Sequence, residues 1–216
     1  MALTFYSIPV SSYCARVRLF LWMRGISHDE VPPPGGTYAS DAYRAVVRQG
    51  SVPAIDHDGF ILADSEAIVE YLDEISPGPK LISSDARTRA GQRALARFHD
   101  TRVESAVRAL FPLVTGARPR QDLPALIALL DESLKRLAAI ASPSPFLAGA
   151  APGHADLAFP TTLMMGSRLA EVLGASMREP ASVTALRQAY DADPLIRKNT
   201  GICSVALEAW ISEKMR

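Results

Sequence analysis

The hydrophobic positions of the first 80 residues form short apolar runs that alternate with segments of helical spacing. Turn-forming residues bound the apolar runs, which predicts β-strands at 3–6, 26–31, 52–56 and 60–62. The last two runs flank His57-Asp58-Gly59, a sequence typical of a hairpin turn. The helical spacing predicts α-helices at 17–24, 41–48 and 65–74. The predicted order of elements is therefore β-α-β-α-β-β-α.

Individual residues indicate where these elements end and which face of a helix is buried. Gly25 is expected to end the first helix, because glycine readily takes the left-handed conformation that closes a helix. The segment 32–36, Pro-Pro-Pro-Gly-Gly, is predicted to be a loop without regular structure, since proline removes backbone donors. One face of the third helix is expected to be buried, and its apolar residues are Ile68, Val69, Leu72 and Ile75.

The character of the chain changes at residues 76–80, whose prolines and glycine indicate a linker. From Asp85 onward the sequence is rich in Ala, Leu and Arg, which favour helix. The pattern predicts helices at about 86–115, 122–141, 155–173, 182–191 and 203–214. We therefore expect an α/β domain over residues 1–80 and an all-helical domain over residues 85–216.

Composition and charge exclude several classes of function. Of the 216 residues, 48% are hydrophobic and 21% are charged, as in ordinary globular proteins. Lys and Arg number 23, as do Asp and Glu, and this lack of a basic excess argues against a nucleic-acid partner. The longest strongly apolar run near the start, Leu19–Met23, is too short to cross a bilayer and no cleavage site follows it. We therefore expect neither a membrane partner nor a signal peptide.

The positions of the cysteines and histidines bear on disulfide formation and metal binding. Cys14 and Cys203 lie near opposite ends of the chain, which makes no disulfide framework and indicates a cytoplasmic protein. The four histidines are widely scattered, so the spacing of metal ligands is absent and no metal is expected.

Three motifs follow one another along the chain. The first runs from Tyr6 to Leu19 as Tyr-Ser-Ile-Pro-Val-Ser-Ser-Tyr-Cys-Ala-Arg-Val-Arg-Leu. The second is Gly-Ser-Val-Pro-Ala-Ile at 50–55 with Leu-Ala-Asp-Ser-Glu-Ala-Ile at 62–68, and the third is Ala-Asp-Leu-Ala at 155–158. In order and spacing these motifs resemble the cytosolic glutathione transferase family, in particular its serine-type bacterial members of the theta and zeta kinds. The resemblance covers essentially the whole chain and implies a thioredoxin-like N-terminal domain followed by an all-α C-terminal domain.

The second motif contains residues that suit glutathione, the co-substrate that the resemblance implies. Its γ-glutamyl end has a carboxylate and an ammonium. Ser65 is predicted to begin a helix, where a hydroxyl, backbone N–H groups and the helix dipole favour a carboxylate, while Asp64 can accept from the ammonium. The Asp64-Ser65 pair alone is more typical of a helix cap, and it is the preceding Val52-Pro53 that favours glutathione binding.

Val52-Pro53 precedes a predicted strand. The resemblance implies a cis peptide bond here, which would turn the Val52 backbone N–H and C=O toward the cleft, where they would pair with the cysteinyl backbone of glutathione. The alternative is a trans proline at the first residue of a strand.

The first motif concerns the chemistry. The resemblance places Ser11, counted without a gap from Arg16, where serine-type members have the hydroxyl that favours the thiolate of glutathione, the nucleophilic form. Ser11 and Ser12 are also good helix N-caps, and the two roles are compatible. We interpret Cys14 as a small buried residue and Tyr6 as part of the strand core. The alternatives are a redox cysteine and a catalytic tyrosine.

The C-terminal half offers fewer candidates. We interpret Asp156 as holding a helix start and His154 as its solvent-facing neighbour. The electrophile pocket is expected to be lined by Phe98, Arg102 and Ala106.

We expect an enzyme that adds the glutathione thiolate to small hydrophobic electrophiles, with Ser11 as its catalytic residue. One alternative is a glutathione-dependent isomerase of the maleylacetoacetate type, which a cluster of arginines including Arg168 would favour. The zeta-type members with that activity have a cysteine where this chain has Tyr13. Another alternative is a binding protein that keeps the fold without turnover. The resemblance also implies a homodimer.

Overall fold

The computed structural model describes residues 2–216. The chain divides into two compact units, the first ending at Ile82 and the second running from Ser83 to Arg216. This boundary lies in the short segment between residues 80 and 85, where the composition changes from a mixed pattern to a helical one.

The N-terminal unit contains a four-stranded sheet and three α-helices. Its elements are β1 (Leu3–Tyr6), α1 (Ser12–Met23), β2 (Asp29–Val31), α2 (Asp41–Val46), β3 (Ala54–His57), β4 (Phe60–Ala63) and α3 (Ser65–Ile75). The strand order is β2-β1-β3-β4; β1 runs parallel to β2 and antiparallel to β3, and β3 runs antiparallel to β4. The predicted order of elements is confirmed, with the hairpin turning at Asp58-Gly59.

The core of this unit lies where α1 packs against α3 and α3 packs against β3 and β4. Ile68, Val69 and Leu72 are fully buried on α3, as their spacing predicts. Ile75 was expected on the same buried face but is 43% exposed, because α3 ends at this residue.

Two local predictions in this unit are wrong. α1 begins at Ser12, five residues before the predicted start at 17, because Ser11 caps the helix by accepting a hydrogen bond from the Cys14 N–H. The segment 32–36 was expected to lack regular structure, but Pro34–Gly36 forms a 3-10 turn in which Gly36 N–H donates to the Pro33 carbonyl.

The C-terminal unit is built from helices. They are α4 (Ala86–Phe98), α5 (Glu104–Arg108), α6 (Phe111–Val114), α7 (Leu123–Ile140), α8 (Phe159–Val172), α9 (Ala181–Ala192) and α10 (Pro194–Lys214). None of the helices within residues 2–216 combines the length and the apolar character needed to cross a membrane.

The helix predicted over 86–115 is helical from Ala86 to Arg108 but not α-helical throughout, and α6 follows it after two residues. A π-helical turn, His99–Val103, separates α4 from α5. At this turn the buried His99 ring reaches α8, where its Nε2 lies 2.9 Å from Thr162 Oγ1. The regular α-helical hydrogen bonding is therefore interrupted at a residue that also contacts a distant segment.

The last helix also differs from its prediction. α10 begins nine residues before the predicted start at 203, because the Asp193 carboxylate accepts from the N–H groups of Leu195 and Ile196. Pro194 suits the first helical position, where its missing N–H costs no hydrogen bond.

Candidate active site

The register of the sheet brings three loop segments to one end. Tyr6, the last residue of β1, pairs with Ala54, the first residue of β3, and Ala54 pairs with Ala63, the last residue of β4. The chain therefore leaves β1, enters β3 and leaves β4 at the same end of the sheet. The N-terminal candidate residues lie in these three segments: Ser11, Val52, Pro53, Asp64 and Ser65.

Ser11 is the N-cap of α1. Its backbone is extended, and its Oγ accepts from the Cys14 N–H at 3.2 Å. The side chain is half-buried. Capping uses a lone pair of the oxygen, so the hydroxyl proton can still be donated.

Cys14 is fully buried in the first turn of α1. Burial raises the pKa of its thiol and outweighs the hydrogen bonds with Ser11, Ile8 and Ser7 that favour the thiolate. The thiol is therefore held in its neutral form, which suits the interpretation of Cys14 as a core residue.

The Val52–Pro53 peptide bond is cis, as the resemblance implied. Pro53 is buried, and Val52 packs against the buried cluster around Tyr43. The Tyr43 hydroxyl donates to the Ser51 carbonyl at 2.8 Å, which ties this loop to α2.

Asp64 is the N-cap of α3, as the interpretation of the pair as a helix cap predicts. One carboxylate oxygen accepts from the N–H groups of Glu66 (2.9 Å) and Ala67 (3.0 Å), while the side chain remains exposed. The backbone of Asp64 has φ +90° and ψ 119°, a conformation that non-glycine residues rarely adopt. Such conformations are concentrated at functional sites.

Ser65 begins α3 and is 6% exposed. Its Oγ accepts from Arg16 Nη1 at 3.1 Å, and the same nitrogen lies 3.2 Å from Glu66 Oε2. Arg16 lies on α1 and is 1% exposed. Sequence reasoning assigned no role to this arginine. The available signal was a charged residue within an apolar stretch of helix, which must be paired when it is buried.

The three C-terminal candidates lie in different environments. Phe98 is half-buried at the end of α4, and Arg102 is exposed in the π-helical turn. Ala106 is fully buried in α5. This runs against the expectation for Ala106, because its methyl group has no exposed surface to offer an electrophile.

His154 was expected to face solvent but is 2% exposed, because a 3-10 turn, His154–Leu157, folds it into the unit. Asp156 in the same turn is fully buried, and burial raises the pKa of its carboxyl. Its oxygens accept four hydrogen bonds, from the N–H groups of Leu147, Ala148 and Gly153 and from the Tyr190 hydroxyl. Asp156 thus holds the segment before α8, in agreement with its structural interpretation.

Two further observations concern the binding of an acidic substrate and of a metal ion. Arg168 is engaged by two carboxylates, through Nε and Nη2 with Glu208 (2.5 and 2.9 Å) and through Nη1 with Glu171 (3.0 Å). Among residues 2–216, no group of three or more His, Cys, Asp or Glu side chains is arranged to hold a metal ion.

Comparison with known proteins relates this chain to glutathione S-transferases. Residues 5–80 match the model of the glutathione S-transferase N-terminal domain. Maleylacetoacetate isomerase from Pseudomonas aeruginosa is 42% identical over 101 residues, 44% of this chain and 47% of that protein. The enzyme of the same name from Rattus norvegicus is 31% identical over 125 residues, 56% of this chain and 51% of that protein. The chain spans about half the length of these curated relatives.

Human glutathione-S-transferase T1-1 in its apo form is similar in structure, with a TM-score of 0.79 and 23% identity over 100% of both chains. At this identity, the likeness concerns the fold. Residues 5–80 are therefore a glutathione S-transferase N-terminal domain, and the chain has the fold of these transferases, with a thioredoxin-like N-terminal unit and a helical C-terminal unit.

Proposed function

We propose that this protein is a glutathione transferase that binds glutathione at the end of the sheet where Ser11, Val52-Pro53 and Asp64-Ser65 emerge. The register of β1, β3 and β4 carries the proposal, because it brings three segments distant in sequence to one edge. The positive φ of Asp64 adds support, since backbone strain persists where a site needs it.

Each segment has a distinct role in binding. The N-terminus of α3, with the Ser65 hydroxyl, receives the γ-glutamyl carboxylate, because N–H groups and the helix dipole favour an anion there. Asp64 accepts from the γ-glutamyl ammonium, and the backbone of Val52 pairs with the cysteinyl backbone. Binding at several points fixes the thiol near the N-terminus of α1.

Ser11 then activates the thiol. Its hydroxyl donates a hydrogen bond to the sulfur and, with the dipole of α1, lowers the thiol's pKa. The thiol proton leaves to solvent, and the sulfur forms a bond to the electrophilic carbon while the leaving group departs with its electron pair. Holding both reactants together supplies the remaining acceleration. The acceptors are small hydrophobic electrophiles.

A second candidate is glutathione-dependent isomerisation, because both curated relatives reported above are maleylacetoacetate isomerases. The same thiolate would add to a cis double bond, the new single bond would rotate, and elimination would regenerate glutathione. Arg168 is a poor binder of an acidic substrate, since Glu208 and Glu171 already engage it. Separate assays of turnover with maleylacetoacetate and with a hydrophobic aryl halide distinguish the two functions. Turnover without consumption of glutathione identifies the isomerase.

We also infer that the protein is a cytoplasmic homodimer. Family members are typically dimeric, and both cysteines are free, buried thiols, which suits a reducing compartment.

Replacing Asp64 tests the proposed site. Asp64→Asn keeps an oxygen for the cap and tolerates positive φ, but it removes the charge that faces the ammonium. We expect glutathione binding, measured by calorimetry, to weaken by about 1–3 kcal/mol in this variant, with little change in the KM for the electrophile.

Asp193→Asn is the matched control, because Asp193 caps α10 with two hydrogen bonds of 2.9 Å, close in length to those of Asp64. It should leave glutathione affinity unchanged. Wild-type affinity in Asp64→Asn would mean that Asp64 is a helix cap only and that the assigned pocket is wrong.

A further inference from the structure

Two arginines of α1, Arg16 and Arg18, are each 1% exposed. Both donate to a serine hydroxyl and to a glutamate: Arg16 to Ser65 (3.1 Å) and Glu66 (3.2 Å), Arg18 to Ser7 (2.9 Å) and Glu30 (2.6–3.0 Å). The two arginines are matched in burial and in the kind of partner. Arg16 contacts Ser65, a residue of the proposed glutathione site, whereas Ser7 and Glu30 are not part of that site.

The contact with Arg16 sets the direction of the Ser65 hydroxyl. A guanidinium has donors and no acceptor, so in the Arg16–Ser65 bond the serine oxygen must accept. The serine proton then points to a different acceptor. Because Ser65 is the first residue of α3, its hydroxyl and its backbone N–H are both donors at a helix end that favours anions.

Glu66 holds the guanidinium in this position. Its Oε2 lies 3.2 Å from the same Nη1 that contacts Ser65, and its side chain is 19% exposed. A buried guanidinium requires such a counter-charge, and a charged donor also polarises the hydroxyl to which it donates. The three groups therefore form one connected unit between α1 and α3.

We propose that Arg16 is a positioning residue for the γ-glutamyl carboxylate of glutathione. It acts through Ser65, whose hydroxyl it holds and polarises as a donor to that carboxylate, and it makes no contact with the peptide itself. The inference rests on the proposed glutathione site and assigns a function to a buried charge that packing alone does not require.

The test uses two ligands and two matched variants. The ligands are glutathione and γ-aminobutyryl-cysteinyl-glycine. This analogue keeps the ammonium and lacks only the γ-glutamyl α-carboxylate. The variants are Arg16→Lys and Arg18→Lys, which keep the charge but lose the guanidinium fork. Binding is measured by calorimetry on the full chain, and kcat and KM for glutathione are measured with one electrophile.

We expect Arg16→Lys to weaken glutathione binding by about tenfold, as for loss of one charge-assisted contact. Binding of the analogue should stay within about twofold, and kcat at saturating glutathione should change little while KM rises. In Arg18→Lys, the ratio of the two affinities should equal that of the wild type.

An equal loss for both ligands in Arg16→Lys would show a merely structural role and overturn the inference while leaving the glutathione site intact. A wild-type protein that binds neither ligand, or binds both equally, would instead refute the proposed site and the inference with it.

Glu66→Gln provides a second route if Arg16→Lys fails to fold. It leaves Arg16 in place but removes the carboxylate that holds it, so the preference for glutathione over the analogue should fall. In a Ser65→Ala background the same change should have no further effect on that preference, because Arg16 acts through the hydroxyl. An undiminished preference in Glu66→Gln, or an additive loss in the double variant, would overturn the inference.

Discussion

Ser11 and Cys14 lie three residues apart in the first turn of α1, and either is a conceivable partner of a bound thiol. Their environments differ. The Ser11 side chain is half-buried at the cap, whereas Cys14 is fully enclosed and burial raises the pKa of its thiol. A neutral, enclosed thiol is a poor nucleophile, so the environment favours Ser11 as the active group.

Paired substitutions separate these two roles. Ser11→Ala should raise the pKa of bound glutathione and lower conjugation by about 10- to 1000-fold, as for loss of one preorganised donor. Cys14→Ala should leave conjugation within a few-fold. The pKa of bound glutathione is read from the pH dependence of thiolate absorbance.

The opposite pattern would move the protein to the thiol-transfer class. Activity lost in Cys14→Ala but kept in Ser11→Ala, together with a mixed disulfide with glutathione detected by mass spectrometry, would contradict the choice of Ser11. In the folded wild type we also expect iodoacetamide to label Cys14 slowly, because its thiol is buried.

At the scale of elements, α1 connects much of the N-terminal unit. It packs on α3, its Arg16 reaches Ser65 at the start of α3, and its Arg18 binds Glu30 in β2 through three hydrogen bonds. Partial burial would raise the pKa of Glu30, but the hydrogen bonds and charge of Arg18 outweigh it and hold that pKa below its ordinary value. The pairing of Arg18 with Glu30 therefore makes the stability of this unit depend on pH.

The sign of that dependence follows from the lowered pKa. The folded protein binds the Glu30 proton less readily than the unfolded chain does, so the stabilisation is complete above the ordinary glutamate pKa of about 4.3. It is lost as the pH falls from there through the lower folded value. Glu30→Gln should therefore reduce the free energy of unfolding at neutral pH, and its difference from the wild type should shrink below about pH 4.

Urea unfolding of a Trp210→Phe background measures this effect, because the remaining tryptophan, Trp22, lies in α1 of the N-terminal unit. Glu132→Gln is the control: Glu132 pairs with Arg136 on the surface, where both side chains are at least half exposed. Such pairs contribute little, so this variant should follow the wild type at every pH. A difference between Glu30→Gln and the wild type that stays constant down to pH 3 would contradict the assignment.

At the scale of the whole molecule, the two units carry different parts of the expected function. The N-terminal unit contains every residue proposed to bind glutathione, while the three residues expected to contact the electrophile lie in the C-terminal unit. The residues proposed to bind glutathione lie in segments that meet at one end of the sheet. The residues expected to contact the electrophile lie on helices and differ in exposure, from the exposed Arg102 to the buried Ala106.

The homodimer is the prediction that belongs to this scale. Sedimentation at micromolar concentration should give a species of twice the 23.3 kDa chain, joining the N-terminal unit of one copy to the helical unit of the other. A single species near 23.3 kDa would contradict it.

Much of the fold could be read from the sequence. The β-α-β-α-β-β-α order, the hairpin at Asp58-Gly59 and the buried face of α3 follow from patterns that extend over a few residues. The candidate residues Ser11, Val52-Pro53 and Asp64-Ser65 were found through motifs of the same short range. Local sequence is sufficient here, because strand alternation, turns and helix caps depend on neighbouring residues.

Other features were decided by contacts between distant segments. Ser65 and Arg16 are 49 positions apart, and His99 meets Thr162 across 63 positions at the π-helical turn that interrupts the predicted long helix. The burial of His154 likewise depends on tertiary packing. Buried polar groups must find partners wherever the fold brings them, and one chain's local pattern does not specify those partners.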